Sequence, residues 1–356
     1  MNIFDLHEKT WKQLGERRDR LPHALLLTGQ RGIGKFELAR AFAGSLLCEN
    51  PSPSRAACGS CLACGWMAQG NHPDFRRVQP GALAEGEGEG EGDGVDEREA
   101  GGKKKKPSQQ ITIDQIRALD DFLHVGTHRQ GARVVLLHPA EAMNRATANS
   151  LLKSLEEPAP GTLFLLVSNE PERLLPTIRS RCQRLPVPLP EASRAQAWLT
   201  AGGVKDAARW LALAGGSPLL AAELGTGDER ALLDALVGEL VKGGRIDPLA
   251  AAAAVDRVVK AEKRPAPLKR LVEWGQKWFV DLILLRSGQA PRYFLAQAAP
   301  LAALAGQSEL SGLLAFSRKA LQYRLQCEQP LNSRLFLEDF FLNYAALFES
   351  VRDVHG

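Results

Sequence analysis

The stretch T-G-Q-R-G-I-G-K-F-E-L, Thr28 to Leu38, decides the reading of this chain, because it follows an apolar run, Ala24 to Leu27, and precedes a helical pattern. Gly29, Gly34 and Lys35 satisfy G-x-x-x-x-G-K, with Gly32 as a third glycine inside the loop. In such a loop, glycines let backbone N–H groups turn inward around a phosphate, a lysine neutralises the outer phosphates, and a Ser or Thr hydroxyl at the next position ligates magnesium. Here that next position is Phe36, whose ring cannot hold a metal. The loop therefore reads as a degenerate nucleotide loop, and ATP with magnesium is not expected to be handled by the ordinary route. A glycine-rich turn with one lysine also arises from tight packing alone; the strand before and the helix after favour the phosphate loop.

Working outward, the helix expected over Lys35 to Leu47 carries Leu38, Ala41, Phe42 and Ser45 on one face. Before the loop, Trp11 to Leu21 reads as a helix-like segment with basic residues. Beyond it, Thr112-Ile-Asp-Gln115 is a capping-box pattern that opens a helix with Ile116, Leu119 and Leu123 on one face. Arg133 to Leu137, Thr162 to Val167 and Gln183 to Val187 read as strands, with helices expected over Asn144 to Leu155 and Glu172 to Arg179. Buried strands alternating with helices imply an α/β domain built on a doubly wound parallel sheet, with ligands at the carboxyl ends of its strands.

After the first helix come Cys48, Cys58, Cys61 and Cys64, spaced C-x9-C-x2-C-x2-C. Four thiolates so spaced can close a tetrahedral site, and with four protein ligands no position stays open for catalysis, so structural zinc is the expectation. Free thiols or a redox pair are the alternatives, and a redox pair leaves two clustered cysteines without a task.

Gly81 to Ser108 is low in complexity, includes E-G-E-G-E-G-E-G-D-G and K-K-K-K, and is expected to be a disordered insertion. Net charge is +4 over 356 residues; without that insertion 40 basic residues face 33 acidic ones. The excess permits contact with nucleic acid without arguing for it. No run of 18 apolar residues and no basic-apolar-small leader occurs, so a soluble protein of the cytoplasm, without membrane contact, is expected. From Leu189 proline-flanked helices suggest a small helical lid, and from about Asp228 the chain is alanine- and leucine-rich helix. There Leu271, Trp274, Trp278, Leu282 and Leu285 form one stripe, and Phe336, Phe340, Tyr344 and Leu347 another, both expected in a core.

In a P-loop ATPase of this architecture the strand Arg133 to Leu137 ends in Asp-Glu, the Asp orienting magnesium and the Glu activating water. Here the two positions are His138 and Pro139. Together with Phe36 they are independent losses pointing the same way.

N-S-L-L-K-S-L-E-E-P at Asn149 to Pro158, N-E-P-E-R-L-L-P-T-I-R-S-R-C at Asn169 to Cys182, H-P-D-F at His72 to Phe75 and the four-cysteine insertion together resemble the delta-prime subunit family of the bacterial DNA polymerase III clamp loader. The resemblance is strong over the first 190 residues and looser beyond. It implies an AAA+ α/β domain over residues 1–188, a small helical lid over 189–227 and an all-α oligomerisation collar over 228–356. It further implies a heteropentamer with gamma or tau and delta subunits, which loads a sliding clamp onto primed DNA. In that family the subunit does not hydrolyse ATP, and Arg181 of Ser180-Arg181-Cys182 is implied to reach the ATP on a neighbouring gamma or tau subunit. Asn169 falls where AAA+ proteins place a polar residue sensing the γ-phosphate, although Asn after a strand is equally ordinary turn chemistry. The sensing arginine of a G-S-x-R lid pattern is replaced by Leu219 in Gly216-Ser-Pro-Leu219. Two other functions stand beside this one. The first is a self-sufficient ATPase that uses Lys35 and substitutes Glu141 for the missing acid; the second is a free-standing DNA-binding protein driven by the lysine run.

Overall fold

The computed structural model describes residues 3–52, 54–84, 108–124, 131–227, 229–261, 267–327 and 331–348. The chain divides into two compact units, Met1–Arg194 and Ala195–Gly356.

The first unit is built on five parallel strands, β1 (Ala24–Thr28), β2 (Phe75–Val78), β3 (Arg133–Leu137), β4 (Thr162–Ser168) and β5 (Gln183–Pro186), in the order β2-β3-β4-β1-β5. Every residue of β1, β3 and β4 is buried, which is why these segments read as unbroken apolar runs. Alternate side chains go to opposite faces. Leu26, Val135, Phe164 and Leu166 pack with the helices Ile113–His124 and Arg145–Glu156, while Leu25, Leu27, Val134 and Leu165 pack with the helix Lys35–Leu47. The register sets Leu26 beside Leu166 and Thr28 beside Ser168, so β1 and β4 end at one level.

Several local expectations change. The first amphipathic segment is a helix over Glu8–Glu16 followed by a 3-10 turn at Arg18–Arg20, so it starts before Trp11 and breaks before Leu21. Glu172 to Arg179 is not one helix. A 3-10 turn covers Pro171–Arg173, Leu174 and Leu175 are extended, and a helix starts at Pro176, because a residue before proline is held out of the helical region. In the helix Lys35–Leu47, Ala41 is only half-buried, and Ala39 and Ala43 join Leu38 and Phe42 inward. At the start of the expected disordered insertion, Gly81–Ala84 forms a helical turn, and the Ala82 N–H donates to the Ser108 carbonyl at 3.0 Å, drawing the two ends together. The rest of that insertion, 85–107 with its lysine run, lies outside the described residues.

The capping box forms: the Thr112 N–H donates to Gln115 Oε1 at 2.9 Å and the Gln115 N–H to Thr112 Oγ1 at 3.4 Å. Asn144 caps the helix Arg145–Glu156 by accepting from the Thr147 N–H at 2.9 Å.

Among its described residues the second unit has only helices as regular structure, and an apolar cluster runs from Ala195 and Trp210 through Leu236 to Trp278, Phe340 and Tyr344. The helix Pro267–Arg286 buries Leu271, Trp274, Trp278 and Leu282 while Leu285, the last of that stripe, is only half-buried, and the helix Ser333–Ala346 buries Phe336, Phe340 and Tyr344 of the second. Asp281, fully buried, accepts backbone N–H bonds from Arg292, Tyr293 and Phe294 at 2.7–3.2 Å, so its charge is offset by aligned dipoles. Among the described residues no helix is long and apolar enough to cross a membrane.

Candidate functional site

Three places hold the residues that the sequence singles out. The loop leaves β1 at Gly29, where an added Cβ would lie 2.5 Å from the Val187 carbonyl oxygen, so only glycine fits. Gly34 caps the helix Lys35–Leu47 with φ 93°, a left-handed conformation that glycine adopts without steric penalty.

Lys35 is 3% exposed. Its Nζ donates to the Gly29 carbonyl at 2.9 Å, the Gln30 carbonyl at 2.7 Å and Asn169 Oδ1 at 2.8 Å, so all three ammonium protons have acceptors inside the chain. Glu141 Oε1 in turn accepts from the Asn169 backbone N–H and Nδ2, both at 3.0 Å. Burial pushes the Lys35 pKa down to about 8, against the opposing pull of the Glu141 and Glu37 carboxylates. Asn169 therefore lies on the loop lysine, and Glu141, three residues past His138, stands behind it. Only the alternative reading of a self-sufficient ATPase placed Glu141 here; its bonds to Asn169 depend on β3 and β4 being neighbours.

The two positions that lack an oxygen ligand for magnesium meet. The rings of Phe36 and His138 stack with centroids 4.9 Å apart and planes at 27°. Where hydroxyl and carboxylate oxygens would share a cation, two faces of carbon and nitrogen are in contact. His7 was not singled out by sequence reading, yet it is buried with its Nε2 on the Ile33 carbonyl, and burial lowers its pKa. A neutral imidazole donating one N–H suits that position and clamps the loop from behind.

The four cysteines come together: the sulfurs of Cys48, Cys58, Cys61 and Cys64 all lie within 4.8 Å of one another. The Cys48–Cys61 and Cys58–Cys64 pairs are each at 3.9 Å, close to the roughly 3.8 Å edge of a tetrahedron with metal–sulfur bonds of about 2.3 Å. Backbone N–H groups of Cys58, Cys61 and Cys64 point at the sulfurs of Cys48, Cys58 and Cys61 respectively, at 3.3–3.4 Å. The Ser60 N–H and hydroxyl, followed by the Cys61 N–H, pull the Cys58 thiol down to about 6, while burial pushes Cys64 up to about 12. Soft sulfurs, donors that favour thiolate and tetrahedral edges fit a structural metal of the zinc kind. The cluster is tied to the N-terminal helix through Trp11 Nε1 on the Ser54 carbonyl at 3.1 Å and Arg55 on the Gly15 carbonyl.

Arg181 is the last residue of the helix Pro176–Arg181, far in sequence from both clusters. Its Nη1 donates to the Thr177 carbonyl at 3.1 Å and its Nη2 lies 2.6 Å from Glu156 Oε1. Leu219, in the place of a sensing arginine, lies near the start of the helix Pro218–Gly225.

A parallel sheet ordered β5-β1-β4-β3-β2, with G-x-x-x-x-G-K between β1 and the following helix, defines a P-loop protein of the AAA+ class. A family described as "DNA polymerase III, delta subunit" matches residues 6–190. "DNA polymerase III subunit delta'" of Pseudomonas aeruginosa is 36% identical over 289 residues, which cover 79% of this chain and 77% of that protein. The chain belongs to the delta-prime subunit family of DNA polymerase III. It is also similar to "DNA polymerase III subunit gamma/tau" of Mycobacterium bovis, 32% identical over 167 residues, covering 47% of this chain and 24% of that one. Among solved structures, a gamma subunit-related protein of Thermotoga maritima aligns over 96% of this chain and 100% of its own at 18% identity, with a TM-score of 0.47.

Proposed function

We propose that this chain is a clamp-loader subunit that does not hydrolyse ATP and completes the ATPase site of a gamma or tau neighbour with Arg181. The observation that carries the first half is the stack of Phe36 on His138, beside a lysine whose three protons are already bound in cis. Hydrolysis needs a magnesium ligand after the lysine and a carboxylate to orient water, and neither position holds one. The second half is supported by the place of Arg181, half-buried at a helix end in S-R-C, where a guanidinium can stabilise charge developing on a γ-phosphate. Zinc in the four-cysteine cluster serves as a structural brace.

Assembly with gamma or tau and delta fits the second unit, where Leu310, Leu314, Leu321 and Leu325 recur on one outward side of the helix Leu310–Gln326, 40–70% exposed. A leucine stripe of that length suits packing against neighbouring helices. Sliding clamp and primed DNA are reached through the complex, in the cytoplasm.

The test is Arg181→Ala in the reconstituted complex. Assembly stays intact and steady-state ATPase falls, by on the order of 10³-fold at the site served if the arginine acts as fingers do in related NTPases. Unchanged ATPase overturns the finger. The approach of Glu141 to Lys35 keeps the self-sufficient ATPase in view; magnesium-dependent turnover by the isolated chain that Lys35→Ala abolishes would establish it and overturn the proposal.

A further inference from the structure

The stretch Asn149 to Pro158 carries much of the family likeness, yet nothing in the proposed function gives Glu156 a task. We propose that Glu156 is a positioning residue that latches Arg181 against its own chain until a neighbour's polyphosphate takes it; this rests on the finger reading above. Both terminal nitrogens of Arg181 are engaged, Nη2 by the Glu156 carboxylate at 2.6 Å and Nη1 by the Thr177 carbonyl at 3.1 Å. A guanidinium recognises phosphate through those same nitrogens, so the latched head must let go of Glu156 to reach an ATP.

Glu156 closes the helix Arg145–Glu156, whose C-terminal carbonyls add partial negative charge beside the guanidinium. The side chains are 34% and 48% exposed, which makes this a surface ion pair: strong enough to bias the arginine, weak enough for a more highly charged anion to displace it. Arg179, two residues away, pairs instead with Glu172 of the preceding turn, and Glu157, just past the helix end, is exposed, so each supplies an internal control.

Two measurements on the full chain test the latch. In the isolated protein, phenylglyoxal modification mapped by peptide mass spectrometry reads how free each guanidinium is. Glu156→Gln should speed modification of Arg181 by roughly 1.5- to 5-fold, the range of an exposed pair, while Arg179 is unaffected and Glu157→Gln changes neither. Equal rates at Arg181 overturn the proposal. In the reconstituted complex Glu156→Gln should raise kcat for ATP by about the same factor with little change in KM, and the gain should shrink at high salt as screening loosens the parent's pair. A fall in kcat overturns the latch and makes Glu156 a support for the active arginine. Faster labelling together with an ATPase indifferent to Arg181→Ala upholds the latched contact and overturns the finger, so the two failures are distinguishable.

Discussion

Lys35 holds its positive charge at 3% exposure, bound to two carbonyls and Asn169 with the Glu141 and Glu37 carboxylates further off, and burial lowers its pKa from 10.5 to about 8. At about 1.4 kcal/mol per pH unit, that gap corresponds to a charging cost of roughly 3 kcal/mol below pH 8. The sign follows from proton counts. Below pH 8 the lysine is protonated in both folded and unfolded chain, and the cost is constant. Between about pH 8 and 10.5 the folded form has released a proton that the unfolded form still binds, so stability rises by up to roughly 3 kcal/mol, and above 10.5 the profile is flat again. Lys35→Met keeps most of the side-chain length and removes the titration. It also orphans three acceptors, which displaces the whole curve without tilting it. Urea unfolding of parent and Lys35→Met, measured at pH 7.0, 8.5 and 10, gives the difference directly. Lys277, lowered to about 8 by burial, and the cysteines titrate alike in both proteins and cancel. Parallel profiles across this window would refute the account of Lys35 as a buried, internally bound cation.

Three further outcomes are expected. Replacing Cys61 and Cys64 by serine should reduce bound zinc, measured by plasma mass spectrometry, from about one per chain to near zero and expose the cluster segment to protease; a metal-free parent that folds fully would contradict the brace. Gly29→Ala should lower the melting temperature of the sheet unit by the equivalent of about 1–3 kcal/mol, since the new methyl meets the Val187 carbonyl at 2.5 Å. Phe36→Ser alone should give no magnesium-dependent phosphate release, because His138 and Pro139 still supply no carboxylate and Lys35 stays bound to Gly29, Gln30 and Asn169.

The central strands were legible in the sequence because they are buried on both faces, so Leu25-Leu26-Leu27 and Val134 to Leu137 carry no alternation to misread. β2 was not legible. Phe-Arg-Arg-Val is an edge strand of four residues with Arg76 and Arg77 both exposed, and so short a run resembles loop. Thr112 and Gln115 announced their helix because capping is local chemistry, whereas Asn144, expected as a helix's first residue, is its cap. The cysteine cluster was legible from spacing alone, since three of its four cysteines fall within seven residues. Lys35 and Asn169 are 134 residues apart, and their bond exists only because β1 and β4 are neighbours ending at the same level. Phe36 and His138 were each visible as a missing function; that they stack on one another required the fold.

On the proposed function, the stack also accounts for how a nucleotide frame stays stable without its chemistry. An emptied phosphate loop would ordinarily leave an ammonium and a ring of inward N–H groups in search of an anion, and such unsatisfied groups make a loop mobile. Here the ammonium has three internal acceptors, His7 holds the Ile33 carbonyl, and two aromatic rings replace the metal ligands with ordinary packing. If the proposed function holds, such a loop needs no ATP to hold its shape, and the sheet that carries it need not change when ATP is bound or hydrolysed next door. On the proposed function that independence is the useful property. The helix Pro176–Arg181 leads directly into β5, which pairs with β1, so the arginine offered to a neighbour is mounted on the same sheet that this internally satisfied loop keeps still.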